Sequence, residues 1–454
     1  MMNTLFLPEI REMLAAGDKD GLHEFCTAIH PARTAEFMQG LTAGEAWQVL
    51  QFADEQTRIE IFLYFEPDRQ QELLESQDRE QVAELIARMA PDDRVDLLDE
   101  ANQPVVDEIL DLIPTEERRD ILLLSSHPEN SAGAVMTTAV AKLSEAMTVR
   151  EALESLQQQT EDVETIYYLY IVDDSDHLRG LVSTRELISH LKHPETRLGD
   201  IMETELITVD VDDDQEIVAQ KVAKYDLLAI PVVDDQHHML GIITYDDVID
   251  VVLEEAIEDA HRIAGVDPLE ESYLRTSLLT LSWKRGIWLA VLFMFALLTA
   301  FTLKGYETQL ENWEWLVFFI PLIISSGGNT GSQSATLIIT ALVRGDIKLH
   351  DWWTVVKREL MSGLILGGFL AVFGYGAAYF MLDPDAEGLT GWALYVLPLT
   401  VILVVLCGTF FGSILPLAFQ RIGLDPALMS NPFVAGIIDI LGIVIYLNVA
   451  IWLL

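Results

Sequence analysis

Twelve small or polar residues interrupt an apolar part of the chain: Ser325-Ser326-Gly327-Gly328-Asn329-Thr330-Gly331-Ser332-Gln333-Ser334-Ala335-Thr336. Residues 315–324 before this polar run and 337–343 after it are mostly apolar. Small residues let membrane helices approach closely, and hydroxyl and amide groups bond across helices or line a wet cavity. The run therefore predicts either a tight contact between helices or a polar path through a bilayer.

The polar run lies in the second of five apolar segments, which cover about 286–303, 313–343, 355–382, 391–419 and 431–453. Each is long enough for the roughly 20 residues that a bilayer requires, the first only just. Basic residues, which favour the cytoplasmic side, fall on one side of these segments, at Lys284, Arg285, Arg344, Lys348, Lys357, Arg358 and Arg421. The other side carries Lys304 and the acidic, base-free residues 383–387. The pattern predicts five spans, with the N-terminal part in the cytoplasm and Leu454 outside.

One carboxylate, Asp439, is predicted to lie deep within these segments. Asn431-Pro432 has the form of a helix start, so Asp439 would lie roughly 12 Å inside the last helix. A buried aspartate costs about 2.5–3.5 kcal/mol even on the lenient insertion scale, and it normally faces water or a bound ion. The alternative is a structural hydrogen bond to a neighbouring helix.

The net charge of −44 is concentrated before the apolar segments. From Ser277 onward there are eight basic and eleven acidic residues, which leaves 20 basic and 61 acidic residues before that point. Such a surface repels nucleic acid and attracts cations. Glu9, Arg11 and Glu12 stand where a signal peptide needs an apolar core, and Cys26 and Cys407 form no thiolate metal motif. The first part is therefore expected to be an acidic cytoplasmic module.

Residues 1–130 contain a repeat that predicts an all-α, superhelical domain. Pro67, Pro91 and Pro114 recur after 24 and 23 residues, each followed by acids and then by leucines or isoleucines. Proline and acids suit the first turn of a helix, and this period suits short stacked helix pairs. The pattern indicates a scaffold without a catalytic constellation.

Residues 131–252 alternate between strands and helices, and the pattern is written twice. Tyr170-Ile171-Val172-Asp173-Asp174 and the following Leu178-Arg179-Gly180-Leu181 are matched by Pro231-Val232-Val233-Asp234-Asp235 and Leu240-Gly241-Ile242-Ile243. These residues resemble a tandem pair of CBS domains, with copies at 131–199 and 200–252. The resemblance implies an α/β regulatory unit, often dimeric and sometimes bound to an adenine nucleotide. Ser183…Glu186 and Thr244…Asp247 lie where ribose contacts can occur, or else they cap the following helices.

Residues 253–270 form an acidic connecting segment, whose helix starts near Asp246 and is ended by Gly265. Asp250, Glu254 and Glu258 stand four residues apart on one face, and like charges at that spacing each weaken an isolated helix by roughly 0.2–0.5 kcal/mol. A cation that offsets the repulsion would stabilise the helix. Its position between a regulatory pair and the apolar segments favours a gating connector over a merely solvated face.

Together these features resemble the MgtE family of bacterial magnesium channels and transporters. The matching order is an acidic helical domain, paired CBS domains, an acidic connector, Gly-Gly-Asn-Thr-Gly-Ser-Gln in the second span, and Asp-Pro-Ala…Asn-Pro-Phe…Asp in the fifth. The resemblance implies a non-enzymatic homodimer in the inner membrane, with residues 271–454 forming the pore between two copies. It also implies that Asp439 lies on the ion path and that the connector plugs the pore.

Mg²⁺ is small and holds its waters tightly, so an outer-shell pore site is expected from Asp439, Asn329, Asn431 and the hydroxyl of Thr330 or Thr336. Following the family's pattern, cytoplasmic Mg²⁺ is expected to close the pore through further acids, while low Mg²⁺ opens it. These regulatory positions are Asp92, Asp96, Asp214, Glu216, Asp226, Asp247, Asp250, Glu255, Glu258, Asp259 and Asp425.

Three alternatives remain open from the sequence. The first is a transporter of another divalent cation, such as Co²⁺, Mn²⁺ or Ca²⁺, although we identify no histidine or cysteine beside Asp439 at a matching depth. The second is an intramembrane hydrolase using a serine of the polar run, which needs an activating base. The third is a membrane-anchored sensor that conducts nothing, which leaves the cost of Asp439 unexplained.

Overall fold

The chain divides into two units, Met1–Val252 and Leu253–Leu454. The computed structural model describes residues 6–99, 101–159, 163–269, 273–274, 276–382, 392–428 and 431–454. The acidic residues 383–387, on which part of the predicted orientation rests, lie outside the described residues.

The first part of unit one is a helical repeat. Within its described residues 6–124 the helices are α1 (Leu7–Ala16), α2 (Lys19–Thr27), α3 (Pro31–Met38), α4 (Ala43–Leu50), α5 (Glu55–Leu63), α6 (Pro67–Ser76), α7 (Arg79–Ala87), α8 (Pro91–Asp99), α9 (Gln103–Leu112) and α10 (Thr115–Leu124). Helices pack on the helix next but one, as α4 does on α6 and α8 on α10. Prolines begin α6 and α8, and Pro114 precedes α10. The predicted N-terminal helical domain is confirmed.

Two three-stranded sheets follow, with the same topology. Their elements are β1 (Lys142–Ser144), α11 (Val149–Gln159), β2 (Tyr168–Val172), β3 (Leu178–Ser183), α12 (Thr184–Ser189), α13 (Leu198–Ile201), β4 (Val209–Asp210), α14 (Gln215–Tyr225), β5 (Ala229–Val233) and β6 (Met239–Thr244). In each sheet the first two strands are parallel and the last two antiparallel. The register shifts at corresponding places, between Ile171 and Val172 and between Val232 and Val233. The predicted CBS pair is confirmed.

The two copies exchange short segments. Thr137, from the start of the first copy, pairs with Ile242 in β6, and Glu203, from the start of the second, pairs with Leu181 in β3. A Cβ atom at Gly180 would lie 2.9 Å from the carbonyl oxygen of Glu203, closer than real Cβ atoms approach. Glycine at this position therefore permits the exchange that joins the copies.

The connecting helix is α15 (Tyr245–Ile263), and Gly265 just after it has a φ of 73°. The described residues beyond 277 form the helices α16 (Leu278–Gly305), α17 (Glu307–Asn312), α18 (Leu316–Val343), α19 (Trp352–Met381), α20 (Ala393–Arg421) and α21 (Asn431–Leu453). α16 begins eight residues before the predicted span, because the hydroxyl of Ser277 accepts from the amide of Thr280 and caps the helix.

Among the described residues, four helices are long and apolar enough to cross a membrane: α16, α19 with the turn before it, α20 and α21. The remaining predicted span, α18, has 28 residues, but the polar run interrupts its apolar sequence, and α18 is not among these four helices. The chain is thus a multi-pass membrane protein, with four candidate spans where the sequence predicted five.

Candidate functional site: a solitary carboxylate and two acidic groups

The polar run forms a tight helix contact on one side of α18. Gly327 and Gly331 are buried and pack against α20 and α21. A Cβ atom at Gly408 of α20 would lie 2.7 Å from the carbonyl oxygen of Gly327. The backbones of α18 and α20 therefore touch, as small residues allow in membrane helices.

The other side of α18 carries exposed polar side chains. Ser325, Asn329 and Gln333 are exposed and follow one another at intervals of four residues, which places them on one face of the helix. The amide of Asn329 donates to the hydroxyl of Ser325 over 3.2 Å. One chain thus presents a polar face on a helix with apolar ends. The tight contact between helices is present on the other side of α18, and the polar path through a bilayer stays a prediction for this face.

Asp439 lies beside α18. Its Oδ1 atom would be 3.5 Å from a Cβ atom at Gly328, so the carboxylate lies against a residue of the polar run. Asp439 is half-buried, and it is the ninth residue of α21, about 12 Å from the start of that helix. Among the described residues no side chain or backbone group bonds to its carboxylate. The described part of the chain therefore offers none of the structural hydrogen bonds that the alternative interpretation requires.

Two polar contacts join the polar run to the start of α21. The hydroxyl of Thr336 donates to Oδ1 of Asn431 over 3.1 Å, and that of Ser332 donates to the Asn431 carbonyl over 3.0 Å. Thr330 is placed differently, because it is buried and its hydroxyl donates to the Ser326 carbonyl within α18. Of the two threonines considered from the sequence, Thr336 is the one that meets Asn431.

In unit one, acidic side chains from three separate parts of the chain act on one another, and we call this group the acidic cluster. Its members are Asp92, Asp93 and Asp96 of α8, Glu164 before β2, and Asp246 and Asp247 of α15. Within it Asp92 is buried, Asp93 and Asp247 are half-buried, and Asp96, Glu164 and Asp246 are exposed. Asp92 is 8% exposed, and its Oδ1 atom has no hydrogen-bond partner. A buried carboxylate oxygen without a partner is costly, and a cation with oxygen ligands would satisfy it.

Burial and mutual repulsion raise the pKa values of Asp92, Asp93 and Asp247 in the acidic cluster. Burial, with help from the charges of Asp92, Asp96 and others, raises the pKa of Asp93 to about 7. Burial and the charge of Asp92 raise the pKa of Asp247 to about 7, although Thr244 bonds to its carboxylate. Burial also raises the pKa of Asp92. Each shift means that the ionised form is disfavoured without a counter-ion.

In unit two, the end of α15 meets the loop before α21. Arg262 forms ion pairs with Glu258 on its own helix and with Asp425. Asp425 also accepts from the amide of Ala427 over 2.7 Å. Burial and the charges of Asp425 and Glu255 raise the pKa of Asp259 to about 6. Arg262 is thus a tethered cation among acids, and we call this group the mouth group.

The other predicted acids lie on the surface of a single chain or have local partners. Asp214 and Asp226 are exposed at the two ends of α14, where the Asp214 carboxylate caps the helix and Asp226 has a φ of 53°. Glu216 is half-buried and accepts from Gln220, and Asp250 is exposed on α15. Ser183 accepts from the amide of Glu186 as a helix cap. Among the described residues, no three acidic, histidine or cysteine side chains are already arranged around a metal position.

Several residues of these sites were missed from the sequence. Asp93, Glu164 and Asp246 join the acidic cluster, Arg262 joins the mouth group, and Glu359 is a second carboxylate within a predicted span. The acidic repeat gave a signal for Asp93, and the acidic connecting helix gave one for Asp246. Nothing in the sequence pairs Arg262 with Asp425, 163 residues away.

Comparison with known proteins places these features in one family. Residues 320–449 match the profile described as a divalent cation transporter, and residues 29–130 match the MgtE intracellular N domain. Residues 132–193 and 198–254 match the CBS domain.

Full-length relatives and solved structures agree with these matches. The chain is 40% identical to the magnesium transporter MgtE of Thermus thermophilus over 72% of this chain and 71% of that protein. It is 34% identical to the MgtE of Enterococcus faecalis over 72% and 70%. The structure of the soluble part of a magnesium transporter matches with a TM-score of 0.52 at 34% identity, covering 55% of this chain and 97% of that one. The cytosolic domain of the Mg²⁺ channel MgtE in complex with ATP matches with a TM-score of 0.50 at 33% identity, covering 53% and 98%. The chain therefore belongs to the MgtE family of magnesium transporters.

Proposed function

We propose that the chain forms a Mg²⁺-selective pathway through the bacterial inner membrane, with its N-terminal part in the cytoplasm. In this proposal α18 is the fifth span beside α16, α19, α20 and α21. Two copies of the chain form a homodimer, and the pore lies between the two copies. The observation that carries the proposal is Asp439, a half-buried carboxylate without a bonding partner in the described residues, next to the polar run. Such a group in a membrane helix marks an ion or water path.

The pore chemistry that fits these residues is outer-shell binding. Two copies of Asp439 supply negative charge, and the amides of Asn329 and Asn431 bond to the waters of a hydrated ion. Mg²⁺ gives up its waters reluctantly, so a site that holds the hydrated ion avoids the cost of dehydration. Thr330 is not included, because its hydroxyl is used within its own helix.

We propose that cytoplasmic Mg²⁺ regulates this pore through the acidic cluster and the mouth group, with α15 acting as a plug. The unpartnered oxygen of Asp92 and the raised pKa values of Asp93 and Asp247 support a cation requirement in the cluster. Bound Mg²⁺ would favour the compact, closed state, and its loss would favour the open state. The exposed acids Asp214, Asp226 and Asp250 have no such setting in one chain, and we assign them to contacts between copies, with Glu216 beside them.

An adenine nucleotide at the CBS pair is a further part of the proposal. The similarity to the cytosolic domain of the Mg²⁺ channel MgtE, whose structure was determined in complex with ATP, supports nucleotide binding. The hydroxyls of Ser183 and Thr244 are engaged at helix starts, so a bound ribose would have to compete with these contacts.

The decisive experiment measures Mg²⁺ flux into vesicles that contain the purified full-length protein. Asp439→Ala is expected to abolish the flux, while Asp346→Ala, at an exposed loop position, is expected to leave it unchanged. Wild-type flux in Asp439→Ala would refute the proposed ion path. Because the matched profile is that of divalent cation transporters in general, competition by Co²⁺, Mn²⁺ and Ca²⁺ in the same vesicles decides between Mg²⁺ and the alternative cargo.

A further inference from the structure

Glu359 is a carboxylate in a membrane helix that bonds to the polar run. In the described residues of α16, α18, α19, α20 and α21, the carboxylates are Glu359 and Asp439. Glu359 follows Lys357 and Arg358, yet it forms no ion pair within the described part of the chain. Its Oε2 atom accepts a hydrogen bond from the hydroxyl of Ser334 over 2.7 Å, and Ser334 is 4% exposed. The carboxylate thus bonds to a buried hydroxyl instead of pairing with the neighbouring bases, which calls for an explanation.

This bond joins two helices that each pack mainly on a third. α18 and α19 both lie against α20, and Ser334 sits at that contact, because a Cβ atom at Gly412 of α20 would lie 2.9 Å from the Cβ of Ser334. Glycine contacts between helices fix the distance between backbones but offer few side chains that resist rotation about the helix axis. The Ser334–Glu359 bond supplies a directional contact at this place.

The bond lies on the side of α18 away from the polar groups that concern the ion. With 3.6 residues per turn, Ser334 is about 140° around the helix from Asn329 and about 160° from Thr336. A rotation of α18 that broke the bond would therefore carry Asn329 and Gly328 around the axis relative to Asp439. A contact on the far side of a helix can in this way fix the orientation of its near side.

We propose that Glu359 is a positioning residue for ion transport, which acts through Ser334 to hold the rotation of α18 and so the placement of the polar run beside Asp439. This proposal rests on the proposed function. It requires only that the residue at position 359 accept a hydrogen bond, and no contact between Glu359 and the ion is involved.

The test compares Glu359→Ala, Glu359→Gln, Ser334→Ala and the double Glu359→Ala/Ser334→Ala variant in the vesicle assay, with the preference for Mg²⁺ over Ca²⁺ as a second readout. Glu359→Ala and Ser334→Ala are each expected to lower the Mg²⁺ flux about tenfold, the effect of losing one buried hydrogen bond, and to weaken the preference for Mg²⁺. Glu359→Gln retains an oxygen that accepts from Ser334 and is expected to stay within about twofold of the wild type. The double variant is expected to be no worse than either single change. Glu314→Ala, at an exposed position before α18, is the matched control.

Three results would overturn the proposal: wild-type flux and ion preference in Glu359→Ala, a Glu359→Gln variant as defective as Glu359→Ala, or additive losses in the double variant. If Glu359→Ala fails to fold, Glu359→Gln and Ser334→Ala decide the matter, since a folded, inactive Glu359→Gln refutes it and a folded Ser334→Ala with normal flux refutes it too. Asp439→Ala is measured in parallel. Normal flux there would refute the proposed function, whereas an inactive Asp439→Ala beside a normal Glu359→Ala would refute this inference alone.

Discussion

Neutralising Asp93 is expected to stabilise the acidic cluster when Mg²⁺ is absent. Its pKa rises from 3.8 to about 7, and each unit corresponds to 1.36 kcal/mol, so ionising this group alone in the folded protein costs ~4 kcal/mol at neutral pH. The cost is absent below pH 3.8, grows as the pH rises and is fully present above pH 7, because the folded state holds the proton more tightly. Asp92 and Asp247 share the repulsion and keep part of it in the variant. Asp93→Asn is therefore expected to gain about half, ~2 kcal/mol.

Amide hydrogen exchange of α8 in the full-length protein measures this gain at pH 7. In EDTA, Asp93→Asn is expected to slow the exchange of α8 amides about 30-fold, which corresponds to ~2 kcal/mol of local stability. In the wild type, Mg²⁺ at 100 times its dissociation constant is expected to add ~2.7 kcal/mol, and the variant should gain less because it has lost a ligand charge. Glu36→Gln, an exposed acid on α3 outside the cluster, is the control. Unchanged or faster exchange of Asp93→Asn in EDTA would refute the argument that the cluster stores repulsion.

Three further changes test other parts of the molecule. Gly180→Ala is expected to destabilise the CBS pair by about 1–3 kcal/mol in denaturant unfolding, because its Cβ would lie 2.9 Å from the Glu203 carbonyl oxygen. The control Gly44→Ala, whose Cβ would have no atom within 4 Å, should be neutral or slightly stabilising. Equal unfolding midpoints for the two variants would contradict the close approach at Gly180. Arg262→Gln removes a partly exposed ion pair to Asp425, which is worth at most ~1 kcal/mol. The variant is expected to raise Mg²⁺ flux at low internal Mg²⁺ about two- to fivefold. A lower flux would show that Arg262 does not help to close the proposed pore. Thr336→Val leaves the Asn431 side-chain oxygen without its hydrogen-bond donor and is expected to lower Mg²⁺ flux about tenfold. Thr336→Ser retains the hydroxyl and should keep the wild-type flux. Equal fluxes for the two variants would show that Asn431 has no role in the proposed pore.

Local patterns predicted the fold, because its signals lie close together in the chain. The proline-led repeat recurs after 24 residues, from Pro67 to Pro91, and each strand–turn–strand unit, around Asp173 and around Asp234, covers 16 residues. The same patterns also placed Asp439, since one acid within an apolar helix is visible without knowing its neighbours.

The composition of the sites depended on contacts that no local pattern contains. The acidic cluster collects side chains from α8, from the segment before β2 and from α15, so Glu164 had no signal of its own. Glu359 was overlooked because it follows two basic residues and resembles an ordinary charged helix end. The side of α18 that Thr330 occupies depends on the rotation of that helix, which is set by its contacts with other helices rather than by the spacing of polar residues.

The two acidic sites differ in their supply of positive charge, and this difference orders their response to Mg²⁺. In the acidic cluster, burial and carboxylate repulsion raise the pKa values of Asp93 and Asp247, although Thr244 bonds to Asp247. Arg94 lies within the field of Asp92 and Asp93, but its guanidinium bonds to the carbonyls of Ile86 and Ala87. A divalent cation therefore relieves much of the cost of ionising this cluster. In the mouth group, Arg262 already pairs with Asp425 and Glu258, and an incoming cation must share or displace a guanidinium that cannot leave. The net gain from binding Mg²⁺ is therefore larger at the cluster, which should fill at lower concentration than the mouth. Under the gating proposed above, a sensor of Mg²⁺ that fills before α15 is fixed as a plug would let the N-terminal module compact first and the pore close only as Mg²⁺ rises further.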